Sequence, residues 1–354
     1  MEFAYKPDYE DACRHWRAFW AGEIIDRPCI CITAPAEGAA AQPHPPGLQH
    51  PERDPLAAVR AYDRFAQSVR FLGDAMPFFC PNFGPDIYAA FVGADLEGFS
   101  AETGTSWATP FVKDWTDDSL RLDTPHGYWW EAALSFVAGA REIAEGKFGV
   151  GVFDLHSNLD CLAAIRGPQQ LCMDCLDRPE DIDKAMAAVR RSYRPIYDAL
   201  YHASGQDSTG TSTWLPMYCE GKFATIQCDF ICMIGPEHLR RFVLPALEEE
   251  AAFLDHCCYH YDGPEALVHL DDILGIDAID AIQWVPGAGN RPHIEWMDLL
   301  KTIQQRGKSL WVGATVDEVP IYHRELRPER VVYHVAAQSE SEAESLLEWL
   351  RSHT

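Results

Sequence analysis

Side chains two apart on an extended chain share a face, so a carboxylate and an imidazole at that spacing can work together. The chain carries this pattern twice. Phe153-Asp154-Leu155-His156-Ser157-Asn158-Leu159-Asp160 ends an apolar run with polar groups at alternating positions. A neighbouring carboxylate fixes an imidazole's tautomer and raises its basicity, so Asp154 and His156 are expected to form a catalytic pair. Asn158 is expected to touch substrate. Asp160 suits chemistry and a helix cap about equally, because Cys161-Leu162-Ala163-Ala164 reads as helix. The second place is Tyr259-His260-Tyr261-Asp262-Gly263, where Gly263 permits a sharp turn after the pair. His260 and Asp262 suit either a divalent ion or acid–base work, with Asp317 as a further oxygen ligand for the ion. Such an ion would be zinc or a harder metal; the sequence leaves the cofactor otherwise unknown.

Other residues are candidates by position. Asp86 follows Gly84-Pro85 near the end of an apolar run and is a candidate catalytic acid. His269 lies soon after the second pair. Gln283 and Trp284 offer an amide and a flat ring before a Gly-rich loop. Trp107, Trp214 and Glu220 fall in loop or strand-end positions, and aromatic faces there would suit a ring-shaped ligand. The chain has no GxSxG, HExxH or phosphate-loop pattern. Cys172 and Cys175 form a CxxC within a helical pattern, with no second pair at zinc-ribbon spacing.

These residues need a scaffold. Apolar runs alternate with helical periodicity. Strands are expected at Asp74–Cys80, Phe148–Phe153, Thr211–Leu215, Cys257–Tyr261, Ala278–Val285, Ser309–Val312 and Val331–Val335. Helices are expected at Pro55–Phe71, Trp129–Glu145, Pro179–Ala203, Pro236–Asp255, Pro264–Ile273, His293–Arg306 and Glu340–Ser352. Ala34–Pro51 reads as a long loop. The alternation argues for parallel βαβ units. Their number fits a closed (β/α)8 TIM barrel with an N-terminal extension: helices and a loop over 1–73, then the barrel over 74–354, as one domain. Chemistry in such a barrel sits at the C-terminal ends of the strands.

Composition narrows the partners. Of 354 residues, 29 are basic and 54 acidic, a net charge of −25. That leaves no basic footprint for nucleic acid or an anionic membrane. No apolar run approaches the ~20 residues of a membrane span, and the first residues do not read as a signal peptide. The expected compartment is therefore the cytoplasm, with the twelve cysteines reduced. The expected partner is a small molecule, and a homodimer is allowed.

Ile231-Cys232-Met233-Ile234-Gly235-Pro236-Glu237-His238-Leu239-Arg240-Arg241-Phe242-Val243-Leu244-Pro245 resembles the Ser-Pro-Glu turn and Phe-x-x-Pro helix of the uroporphyrinogen decarboxylase-like superfamily. Tyr259–Gly263 resembles the following strand, where that family has His-x-Cys-Gly. Gly167–Asp183 resembles the preceding helix pair. The resemblance implies the (β/α)8 barrel and a cleft at the strand ends. It also implies that Asp86 stands at the position of the decarboxylases' catalytic Asp. Two departures limit the known chemistries. The Arg-x-x-x-Arg-type segment that grips porphyrinogen carboxylates is reduced to Arg27 in Asp26-Arg27-Pro28. The zinc site of the corrinoid-linked methyltransferases needs thiolates, yet Asp262 replaces the Cys and no cysteine follows Cys258. The expectation is a diverged lyase- or methyltransferase-related enzyme acting on a small polar, neutral or cationic molecule. A porphyrinogen decarboxylase, a methyltransferase with a corrinoid protein partner, and a non-enzymatic binding protein stand as alternatives.

Overall fold

The computed structural model describes residues 3–45, 47–99, 104–117 and 120–354. Eleven strands occur among them: β1 Cys29–Pro35, β2 Val69–Gly73, β3 Phe78–Phe79, β4 Asp95–Glu97, β5 Trp107–Thr109, β6 Gly149–Val150, β7 Phe223–Ile226, β8 His256–Asp262, β9 Ala281–Val285, β10 Ser309–Gly313 and β11 Val331–Ala336. Seven form one sheet in the order β2-β1-β11-β10-β9-β8-β7. All its pairings are parallel except β1 with β2. The parallel strands are buried almost throughout, as helices on a sheet require, and this is why β1 reads Cys-Ile-Cys-Ile rather than alternating with polar residues.

The architecture is therefore a mixed α/β fold around a central parallel sheet. The ladder of that sheet does not itself close. β3 and β6 form a separate parallel pair. Beyond β6, the Val152 N–H donates to the Ser212 carbonyl at 3.1 Å, and Thr213 and Thr225 share a hydroxyl contact of 2.7 Å across to β7.

Several expected elements are shorter or different. The Asp74–Cys80 strand contracts to β3, and the Phe148–Phe153 strand to β6. At Thr211–Leu215 the chain makes a single antiparallel bridge between Thr211 and Cys219. The first long helix stops at Ser68 and hands over to β2, an antiparallel strand that apolar periodicity had merged into the helix. Pro236–Asp255 contains one π turn over Leu239–Val243, which overlaps the start of the Phe-x-x-Pro stretch. The long helix Pro179–Ala203 is as expected: Pro179 starts it, and Glu180 and Asp181 complement its N-terminal dipole. β4 and β5 form an antiparallel ribbon that the sequence pattern did not reveal. No described helix is long and apolar enough to cross a membrane. All twelve cysteines are free thiols.

Candidate functional site

The parallel register of β8 and β9 sorts their side chains onto two faces. His260 lies opposite Gln283, and Tyr261 opposite Trp284. His260 Nδ1 meets the Gln283 amide oxygen at 2.6 Å. An amide oxygen only accepts, so Nδ1 donates to it; in the neutral ring the lone pair would then sit on Nε2. Trp284 faces the other way. It is buried against Tyr261 and Trp296, with ring centroids 5.9 and 5.0 Å apart, and packs under the helices instead of lining a ligand site. Gly263, at φ 82°, turns the chain directly after Asp262.

The chain leaving β6 supplies the second group. Asn158 adopts φ 48°, the one positive φ of a non-glycine residue among those described. Asn tolerates this conformation better than most residues. The turn places His156 between two acids: Nε2 is 3.0 Å from Asp154 Oδ2, and Nδ1 is 3.5 Å from Asp160 Oδ2. Burial opposes a charge on His156, but Asp154 and then Asp160 outweigh it, so the imidazole is held well above its ordinary pKa. Asp154 also accepts from Gln227 Nε2 at 2.6 Å.

Asp160 does cap a turn, though not the turn of its own helix. It accepts the Asp229 and Phe230 N–H groups, both at 2.9 Å, at the start of the 3-10 turn Asp229–Met233. That contact fixes Asp229 between the two groups. Ligand atoms of His156, Asp160 and Asp229 lie within 4.8 Å of one another, and so do those of Asp229, His260 and Asp262. Asp229 is common to both sets. Its carboxyl is raised to about 6, first by burial and then by Asp160, against the pull of His156 and His260.

The structure thus brings Asp154, His156, His260 and Asp262 to one place, with Asp229 common to both ligand-capable sets. Asp86 joins them at the edge. Its Oδ2 accepts the Ala108 N–H at 2.8 Å, and burial chiefly raises its pKa, with His156 and Asp160 close enough to act on it. Trp214 stands edge-on to His260 with centroids 5.1 Å apart. Gln283 contributes by orienting His260.

Other candidates lie elsewhere or do other work. Asn158 is fully buried and donates to the Gln227 carbonyl at 2.9 Å, so it ties two segments together instead of facing a ligand. His269 is also fully buried. Its Nε2–H donates to the Ile231 and Ile234 carbonyls, each at 3.0 Å, which pins the turn that carries Asp229. Glu220 lies just before the start of β7, the end remote from the cluster, paired with Arg17 at 2.6 Å. Asp317 is exposed in a turn and belongs to neither ligand-capable set among the described residues. Trp107 sits in the β4–β5 ribbon with its ring packed over Gly98.

Asp154, the cluster's one titratable residue in its lining, and Trp214 border a cavity of about 620 Å³ that lies between aromatic residues of β3 and residues of β1 and β11. That volume is in the range of small-molecule sites, ~300–1,000 Å³. Fold and cluster together define an α/β protein with a titratable His/Asp centre at the C-terminal ends of parallel strands.

No family model matches the chain, and the search of curated proteins returned no match. Among solved structures, it is similar to a methyltransferase from Methanosarcina mazei. The TM-score is 0.61 and the identity 11%, over 99% of each chain. At that identity the likeness is one of fold.

Proposed function

We propose that the protein is an enzyme that moves a proton on a small molecule held in the 620 Å³ cavity, on a closed (β/α)8 barrel spanning the chain as one domain. One observation carries this reading: two histidines and four aspartates from separate segments form one cluster, in which Asp229 is shared by the His156/Asp160 and His260/Asp262 groups and Asp154 joins through His156. His156, charged between Asp154 and Asp160, serves as the acid. His260, with Nδ1 held by Gln283, offers Nε2 as the base. A histidine shifted by buried acids, beside a second imidazole within the same cluster, is a usual arrangement for acid–base chemistry.

A second reading is favoured by the lone pair of His260 Nε2 beside Asp229 and Asp262. These residues would hold a divalent ion, which when bound would polarise a substrate oxygen. The donor set is nitrogen and oxygen. The neighbouring thiol, Cys228, 3.6 Å from Asp160, is buried and pushed strongly towards its neutral form, so a hard or borderline ion fits better than a thiolate-bound zinc. Metal analysis of protein purified without added metal separates the two. Less than a tenth of an equivalent supports proton transfer alone; a full equivalent that is lost in His260→Ala supports the ion.

The similarity in fold to a methyltransferase supports a methyl-transfer alternative, with a corrinoid protein as partner, only at the level of scaffold. A porphyrinogen decarboxylase is disfavoured by the cavity, which has no Lys or Arg in its lining. Anaerobic incubation with uroporphyrinogen should yield no coproporphyrinogen. Product formation abolished by Asp86→Asn would restore the decarboxylase.

A further inference from the structure

The cavity and the cluster have different chemistry, and the difference describes a ligand. Phe71, Phe78, Phe79, Tyr62 and Met76 make the body of the cavity apolar, with Trp214 at the end next to His260. Asp154 brings a carboxylate to its wall. Behind Asp154 stand Asp160, Asp229 and Asp262. Among the described residues no Lys or Arg pairs with any of these four carboxylates, although salt bridges occur throughout the rest of the molecule. His156 lies between Asp154 and Asp160, and both His156 and His260 act on Asp229. Two histidines, His44 and His334, also line the cavity, and burial pushes His334 towards its neutral form.

An apolar cavity that ends on a cluster where carboxylates outnumber the charged imidazole of His156 repels anions and leaves a neutral hydroxyl with little to gain. It favours a single positive charge on an apolar body. The charge is stabilised by the acids and by the faces of the surrounding rings. We infer that the substrate is an organic monocation, an ammonium group carried on an aryl or alkyl body, with its head at Asp154 and its body in the aromatic cavity. This deepens the proton-transfer reading and rests on its placement of the reactive centre.

The test is direct binding, by calorimetry, of three molecules of one shape: 4-phenylbutylammonium, 4-phenyl-1-butanol and 4-phenylbutyrate. The expected order is the ammonium at least tenfold tighter than the alcohol, with no measurable binding of the carboxylate. Shortening the ammonium's chain should weaken it by about fourfold per methylene removed, as burial of CH₂ groups requires. Asp154→Asn should bring the ammonium and the alcohol to within about threefold of each other, with melting temperature measured on the same sample to show that the fold survives. Equal affinities, a preference for the carboxylate, or no binding of any of the three at millimolar concentration would overturn the inference. None of these measurements involves turnover. A lost ammonium preference therefore leaves the proton-transfer reading standing, whereas a stoichiometric metal at Asp229, His260 and Asp262 would offset the acids, remove the ammonium preference and overturn both, which the metal analysis identifies separately.

Discussion

Replacing His156 by Leu removes a positive charge from between two acids without opening a large void. The side chain of His156 is 13% exposed, that of Asp160 9% and that of Asp154 23%. Breaking a buried ion pair from one side costs about 3–5 kcal/mol. Here both acids keep other donors: Gln227 for Asp154, and the Asp229 and Phe230 amides for Asp160. The lower end of that range, about 3 kcal/mol, is therefore appropriate. At ~2.1 cal/mol/K of unfolding entropy per residue, 354 residues convert this to a drop in Tm of about 4 °C. The pH dependence has a fixed sign. The folded pKa of His156 is raised above its unfolded value, so its stabilisation is complete below about pH 6.5 and is lost as pH rises through the folded value. Calorimetric scans of both proteins from pH 6 upward should show the full deficit at pH 6 and a smaller one in alkali. Equal Tm at pH 6, or a deficit that grows with pH, would refute the charged-imidazole argument.

Asp229→Asn should raise Tm at pH 7 while lowering turnover, because a carboxyl raised to about 6 loses its stabilising contribution as pH climbs through that value; thermal scans with an activity assay check both. Trp214→Ala should weaken ligand binding at least tenfold, whereas Trp284→Phe should leave affinity unchanged and lower Tm, as their opposite facings demand. Glu220→Gln should change turnover by less than twofold and stability by under ~1 kcal/mol, since it breaks only an exposed pair with Arg17, and chemical denaturation can measure this. Thiol titration of denatured, unreduced protein should count close to the twelve cysteines found free.

The alternation of parallel strands and helices was legible in the sequence because it is written in local periodicity. The two His/Asp pairs were legible because each sits on one short segment with spacing two. What joins them was not. Asp160 acts on Asp229 across 69 residues of chain, and Gln227 acts on Asp154 across 73. Such contacts are set by strand order and leave no local trace. The pattern Gln227-Cys228-Asp229 has the same two-residue spacing, which was the available signal for both. Trp284 was misread for a related reason. Beside Gln283, either residue could face the ligand, and only the register with His260 and Tyr261 decides which does. Glu220 looked like a strand-end residue because a strand was expected at Thr211–Leu215, where the chain forms only a bridge. That moved the C-terminal end of a strand, in the sequence reading, to the N-terminal end of β7.

Histidine-selective NMR tests the central claim most directly, because it observes both halves of the centre at once. Of fourteen histidines, His156 and His260 can be assigned through His156→Leu and His260→Ala. His156 should titrate well above pH 6.5, and both resonances should shift together when 4-phenylbutylammonium is added. A His156 that titrates at or below the ordinary value, or a pair that stays unshifted while calorimetry shows the ammonium bound, would contradict a single centre built on Asp229.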